Sequence, residues 1–326
     1  MPASARRMAL CAALIAGLAS WAGAQPAAKY PDRPVRFVLP YGPGGIADVT
    51  TRLVAQKLSE RMGQNFVIEN KPGAGGTLAA KAVLSSPADG YTFFLSGNAS
   101  AINESLFKSR PFAFLADFTP VATLAQFEML LVTRADAELG GIGKIVAHAN
   151  AHPGKLNFGA INPGSTQNLS AELFRMTTGV EVTLVTYRTT PELVTAIVRG
   201  DVDVGFDYLA AFNPMIASKQ IKVIATSGDH PNTQLPGVPT VKESGYPDYV
   251  VTSWNALSAP VGIPKDIVAQ LSNEIQAVLK LADITGRMAA LGMEPMSGTP
   301  EELYERMKHD IEKWRVVIDQ AGIPKQ

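Results

Sequence analysis

From residue 30 onward, short runs of β-rich apolar residues alternate with stretches of helical period, and each change falls at a glycine, proline or serine turn. Val35 to Leu39 predicts a first strand. After the turn that follows, Ile46, Val49, Leu53 and Leu58 recur at helical spacing until Gly63 stops them. Phe66 to Glu69 predicts a second strand, Gly73 to Gly76 a turn, Thr77 the start of another helix, Asp89-Gly90 a turn, and Tyr91 to Leu95 a third strand. A unit built twice in this way predicts an α/β fold with mainly parallel strands.

Two longer apolar runs break the rhythm. VATLAQFEMLLVTRAD, from Val121, reads as a crossing from one part of the molecule to another, and VVTSWNALSAP, from Val250, as the return. Between them lie strands at Lys155 to Gly159, Val182 to Tyr187, Val202 to Phe206 and Ile221 to Thr226. The intervening helices carry a stripe at Leu169, Leu173 and Met176 and a start at Thr190-Pro191-Glu192, with a cap hydroxyl and proline at the first helical position. Two crossings make the first domain discontinuous, with one lobe over 25–128 and 252–326 and the other over 129–251. The C-terminal part adds helices lined by Ile267, Leu271 and Ile275 and by Leu303, Met307, Ile311, Trp314 and Ile318, the latter opened by the capping box Thr299-Pro300-Glu301-Glu302.

Residues 1–24 have a different character. Arg6 and Arg7 precede an apolar stretch from Met8 to Gly23, and Ala22-Gly23-Ala24 is a small-residue cleavage pattern, which together predict an export signal and a periplasmic protein. The single cysteine, Cys11, lies inside that segment, so the expected mature chain has neither disulfide nor thiol nucleophile. The chain of 326 residues carries 29 basic and 29 acidic side chains, and removal of Arg6 and Arg7 leaves a net charge of −2. No basic stripe or run of five like charges points to nucleic acid.

The sequence also narrows the chemistry. His148, His152, His230 and His309 are scattered without ligand spacing, so no metal is expected, and neither a G-x-S-x-G elbow nor a phosphate loop of the G-x-x-x-x-G-K-[ST] type occurs. Asp201, Asp203 and Asp207 have the spacing of a strand edge. YGPGGIAD, from Tyr41 to Asp48, is more informative, because a glycine turn that opens a helix presents unpaired N–H groups and the positive end of the helix dipole to an anion. Gly42 to Ala47 satisfies G-x-G-x-x-A, and Glu69 stands where a dinucleotide's ribose would be held, so a dehydrogenase is one reading. Pro40 and Pro43 in the turn, Asp48 in the first helical turn and the export signal all weigh against it. A second such junction, NPGST from Asn162 to Thr166, lies beyond the first crossing. Two junctions facing each other over a cleft would suit a small ligand between domains.

In order along the chain, YPDRPVRFVLPYGPGGIADVTTRLVAQKLSERMGQNFVIENKPGAGGTLAAKAVLSSPADGYTFFL, GKLNFGAINPGSTQNLSAELF, VTYRTTPELVTAIVRGDVDVGFD, LPGVPTVKESGYPDY and WNALSAPVGIP resemble the Bug-type periplasmic solute receptors of tripartite tricarboxylate transporters. The resemblance covers nearly all of the expected mature chain. It implies a two-lobed periplasmic-binding-protein fold of the Venus-flytrap kind, with two crossing strands and a carboxylate held between the lobes. Such a protein is no enzyme and needs no cofactor; as a monomer it would deliver its ligand to the membrane subunits of a tripartite carrier, a sensing role being the alternative. Carried over by position, the first-lobe site comprises Tyr41, Gly42, Gly44, Gly45 and Asp48, with Asn98, Ser100 and Ala101 beside them. The second lobe supplies Ser165, Thr166, Asn168, Tyr187, Arg188 and Asp207. Relatives often carry His at the position of Asn168 and glycine at that of Thr189, so the acid bound is not carried over. Arg188 is either a bidentate holder of a second carboxylate or a surface arginine, and Trp254 either walls the cleft or fills the core.

Overall fold

The structure, a computed structural model, describes residues 30–326; the expected export signal, residues 1–24, lies outside the described residues. The strands are β1 (Val35–Leu39), β2 (Phe66–Asn70), β3 (Thr92–Gly97), β4 (Phe118–Arg134), β5 (Asn157–Ile161), β6 (Thr183–Tyr187), β7 (Val204–Tyr208), β8 (Ile221–Thr226), β9 (Thr252–Pro260) and β10 (Glu294–Pro295). They join in the order β2-β1-β3-β9-β4-β7-β5-β6, with β8 and β10 also on β4. β1 runs parallel to β2 and β3, and β5 parallel to β6 and β7. The pairings of β4 and β9 are antiparallel, so the sheet is mixed and the expectation of mainly parallel strands holds only away from the crossings.

β4 explains how one sheet serves two halves. At 17 residues it spans about 55 Å. From Phe118 to Glu128 it pairs with β9; from Met129 onward it pairs with β7 and β8. The apolar run that marked it in the sequence is buried on both faces along most of its length, as a strand covered by helices on each side must be.

The helices used below are α1 (Ile46–Met62), α2 (Thr77–Leu84), α3 (Asn98–Leu106), α4 (Phe114–Asp117), α5 (Ile142–Ala151), α6 (Thr166–Thr178), α7 (Thr190–Arg199), α8 (Leu209–Ala217), α9 (Lys265–Leu279), α10 (Ala282–Ala289) and α11 (Pro300–Gln320). Three elements depart from the sequence expectations. SGNASAINESLF, to which the sequence pattern assigns no helix, contains α3, whose N-terminus is closed by Ser100 Oγ accepting the Gly97 N–H at 3.3 Å and whose buried stripe is Ala101, Ile102 and Leu106. β5 begins two residues later than expected, at Asn157, whose N–H is taken by the Asp203 carboxylate at 2.7 Å. Thr189, not Thr190, caps α7, which releases the Thr190 hydroxyl for another partner.

One apolar core covers α1 and α9 on the first half, a second lies under α7 and α8, and a third runs continuously from Phe94 and Ala101 to Phe158, Phe174 and Trp314. That third core joins the two halves through α3, α6 and α11. Trp254 belongs to it: the side chain is 1% exposed and its indole N–H donates to Asp310 on α11 at 2.7 Å, so the core reading of this residue is the correct one.

Candidate functional site

The turn after β1 is held by a side-chain clamp. Asp48 lies in the first turn of α1, 3% exposed, and one carboxylate oxygen accepts the Gly44 N–H and the Arg52 Nε–H, both at 2.9 Å. Its other oxygen takes the second Arg52 nitrogen and Asn70 Nδ2, again at 2.9 Å, while Asn70 also donates to the Tyr41 carbonyl at 3.0 Å. The Arg52 hydrogen bond, with those of Gly44 and Asn70, holds the Asp48 carboxyl at about 2, below its ordinary 3.8. Every lone pair of Asp48 is thus used within the chain, and the side chain shapes the turn. The first N–H groups of α1 have no helical acceptor, as at any helix start, and Gly45 offers them no side-chain cap.

A folded pKa below the unfolded one stabilises the protein above about pH 4, and that contribution disappears as the pH falls through about 2. We expect Asp48→Asn to cost up to about 2 kcal/mol at neutral pH and to flatten the acid limb of the stability profile between pH 4 and 2, read by urea unfolding. An unchanged acid limb would remove Asp48 from this role.

The turn before α6 is built the same way. Gly164 donates its N–H to Asn168 Oδ1 at 2.9 Å, four residues on, as Gly44 does to Asp48. Both glycines have positive φ, 79° and 85°. Ser165 caps α6: its Oγ accepts the Asn168 N–H at 3.1 Å and donates to the Ile161 carbonyl. The sequences superpose without a gap, Pro43-Gly44-Gly45-Ile46-Ala47-Asp48 on Pro163-Gly164-Ser165-Thr166-Gln167-Asn168. The charges differ, because Asp48 is neutralised by Arg52 whereas Asn168 carries none and is followed at the equivalent place by Glu172, itself paired with Arg175.

The second junction meets the start of α3, and Tyr41 of the first junction shares a groove with it. Asn98 Nδ2, at the start of α3, donates to Thr166 Oγ1 at 3.1 Å, and Asn98 Oδ1 accepts the Trp314 indole N–H at 2.7 Å. A groove of about 470 Å³ is lined by Tyr41, Gly73, Gly75, Gly76, Ser100 and Asn103 on one side and by Asn162, Pro163, Gly164 and Ser165 on the other. A larger groove of about 710 Å³ runs along α11 past Leu173 and Met176, and none of the expected residues lines it.

The remaining expected residues divide. Asp207, at the end of β7, is buried and accepts from Gln167 at 3.0 Å, Thr190 at 2.7 Å and the Tyr208 N–H at 2.9 Å, so it ties α6 and α7 to the sheet. Burial pushes its carboxyl above the ordinary range, against the opposing pull of those donors. Ala101 is wholly buried in the core. Tyr187 lines a separate groove with Pro191, Thr195, Arg199 and Asp201. Arg188 is exposed, with its backbone N–H on the Glu192 carboxylate at 3.1 Å.

Several residues of the cluster carried no sequence signal. Tyr208 bonds Ser253 on β9 at 2.8 Å and lies beside the Thr166 hydroxyl and the Tyr41 phenol. Burial pushes the phenols of both Tyr41, to about 12, and Tyr208 upward, so both remain neutral hydrogen-bonding groups. Asn70 and Gln167 act as brackets behind the turns. Their roles depend on contacts 22 and 40 residues away, although the repeated P-G-x-x-x-[Asp/Asn] spacing could have paired the two turns. Among the described residues, no group of three or more His, Cys, Asp or Glu side chains is arranged to hold a metal, and no helix is long and apolar enough to cross a membrane.

Comparison with known proteins agrees with this arrangement. Residues 50–323 match the family described as tripartite tricarboxylate transporter family receptor. The chain is 32% identical over 295 residues to protein BugT of Bordetella pertussis, covering 90% of each. Among solved structures, the R. palustris protein Rpa4515 with adipate is 33% identical with a TM-score of 0.78, covering 90% of this chain and 99% of its own. MatC from Rhodopseudomonas palustris with bound malate is 29% identical with a TM-score of 0.74, covering 89% and 100%. The α/β fold with two crossing strands is the fold of these solute-binding structures.

Proposed function

The chain belongs to the tripartite tricarboxylate transporter receptor family, and from that premise we propose that it captures a small organic carboxylate between two lobes and delivers it to the membrane subunits of a tripartite carrier. The lobes are 25–128 with 252–326, and 129–251, hinged where β4 leaves β9 for β7 and β8. The observation that carries the reading is the pair of matched helix starts at Gly44-Gly45 and Gly164-Ser165, with Tyr41 of the first turn lining one groove with Asn162 to Ser165 of the second. Two positive helix ends attract one anion for the same electrostatic reason. The carboxylates named with two neighbouring structures, adipate and malate, support the class of ligand. The export pattern of residues 1–24 supports a periplasmic site of action.

Tyr41, Gly42, Gly44, Gly45, Asn98, Ser100, Ser165 and Thr166 form the contact surface in this proposal, through backbone N–H groups and hydroxyls. Asp48, Asn168 and Asp207 hold that surface in shape. Tyr187 and Arg188 stand at its margin. Selectivity arises because a buried carboxylate oxygen left without a donor is costly.

A thermal-shift screen of the mature protein against mono-, di- and tricarboxylates tests the proposal. At a hundredfold excess over Kd, binding to the native state adds about 2.7 kcal/mol, which corresponds to a rise of about 5 °C. No shift with any acid, alongside a shift with a nicotinamide dinucleotide, would favour the dehydrogenase reading of the glycine turn instead.

A further inference from the structure

Asn255 is 3% exposed, and its Nδ2 is a buried donor with no hydrogen-bond partner among the described residues. Such a donor is normally satisfied, because leaving it unpaired away from water is expensive. Its position is informative. On β9, Asn255 pairs with Gly97, the residue immediately before Asn98, and with Ala125 on β4. It shares a strand face with Ser253, two residues earlier, whose hydroxyl bonds the Tyr208 phenol beside Thr166 and Tyr41. The opposite face carries Trp254 into the core to Asp310. The unpaired amide therefore stands on the crossing strand opposite the residue before Asn98, on the face from which Ser253 reaches the Tyr208 phenol.

We infer that Asn255 is a specificity-determining residue whose side-chain amide donates a hydrogen bond to the captured carboxylate from the crossing strand. This rests on the carboxylate reading above and adds a side-chain donor, from neither glycine turn, to a site otherwise built of backbone N–H groups and hydroxyls. Because β9 pairs with both β3 and β4, a ligand bonded to Asn255 is gripped at the strand about which the halves turn. The amide is short, so it reads an acid oxygen that lies deep in the cleft and leaves the remainder of the molecule to the two turns.

The test uses the mature wild-type protein and Asn255→Leu, which keeps the side-chain size and removes the donor. Apo melting and calorimetric titration are measured with adipate, malate or whichever carboxylate gives the wild type its largest thermal shift. We expect the variant to melt at or above the wild-type temperature without ligand, because the unpaired donor is gone, and to bind the acid about 10- to 100-fold more weakly, as for loss of a hydrogen bond to a charged group. Asn255→Asp, nearly isosteric, should fold by circular dichroism and lose affinity by more than about tenfold at pH 7.5 through like-charge repulsion. Unchanged affinity in either folded variant would overturn the role of Asn255 and leave the carboxylate reading intact. A fall in apo melting temperature with unchanged affinity would make the residue structural only. A wild type that binds no carboxylate would overturn both.

Discussion

Asn168→Asp is expected to weaken carboxylate binding by about 100-fold while leaving the protein folded. The new carboxylate keeps the acceptor that holds the Gly164 N–H, and an acid in the first turn favours the helix. What changes is the charge. At the first turn the equivalent Asp48 is neutralised by Arg52, with its two nitrogens at 2.9 Å. At the second turn the corresponding position is Glu172, so no cation stands where Arg52 does at the first. A like charge about 5 Å from the bound anion costs about 3 kcal/mol at an effective dielectric constant of 20. Calorimetric titration of wild type and variant with the same acid reads this directly. Equal affinities would mean that the ligand does not lie at the α6 start.

Gly205→Val is expected to lower stability by about 2–3 kcal/mol and the melting temperature by about 4–6 °C, measured without ligand. Gly205 sits on β7 beside Val132 of β4, where α7 packs against the sheet. A Cβ there would lie 2.2 Å from Ile197 Cδ1 and 3.4 Å from a Val132 methyl carbon. A core packed at crystal-like density has no room for it. Asp207 and Tyr208 follow two and three residues later on the same strand, so displacing β7 also loosens the brackets to Gln167 and Thr190. Ile197→Val in the same chain should recover part of the loss, because it removes the methyl carbon nearest to the clash. A wild-type melting temperature in the single variant would contradict the packing described for α7.

The features that the sequence made legible were those set locally. The crossing strands announce themselves because a strand buried on both faces is a long apolar run, and β4 and β9 fall within two or three residues of where Val121 and Val250 mark them. The glycine turns are legible because positive φ and a helix start require particular residues. α3 was hidden because Asn98-Ala99-Ser100-Ala101 has the composition of a loop; its helix is stabilised by Ser100 at its start and by packing against α11. The antiparallel setting of the crossings was equally hidden, since direction is fixed by chain connection and not by period.

The candidate site divides along the same line. Gly44, Gly45, Ser165 and Thr166 could be found from the turns, because their N–H groups and hydroxyls act where they stand. Tyr208, Ser253 and Asn255 could not, because their meeting depends on the return crossing bringing residue 253 against residue 208. Tyr187 was carried over by position from the resemblance, and its ring lines a groove with Pro191 and Thr195, apart from the one lined by Tyr41 and Ser165. Asp48 and Asn168 were carried over by position from the resemblance; only the matched bonds to Gly44 and Gly164 reveal that they are the same bracket used twice.

The central claim is that one carboxylate is held jointly by the starts of α1 and α6. The most direct measurement is a crystal structure of the mature protein with the acid that gives the largest thermal shift. The expected result is a single ligand with a carboxylate oxygen within hydrogen-bonding distance, directly or through one ordered water, of first-turn N–H groups of both α1, near Ile46, and α6, near Thr166. A ligand bound in the groove along α11, or one touching a single helix start, would contradict it.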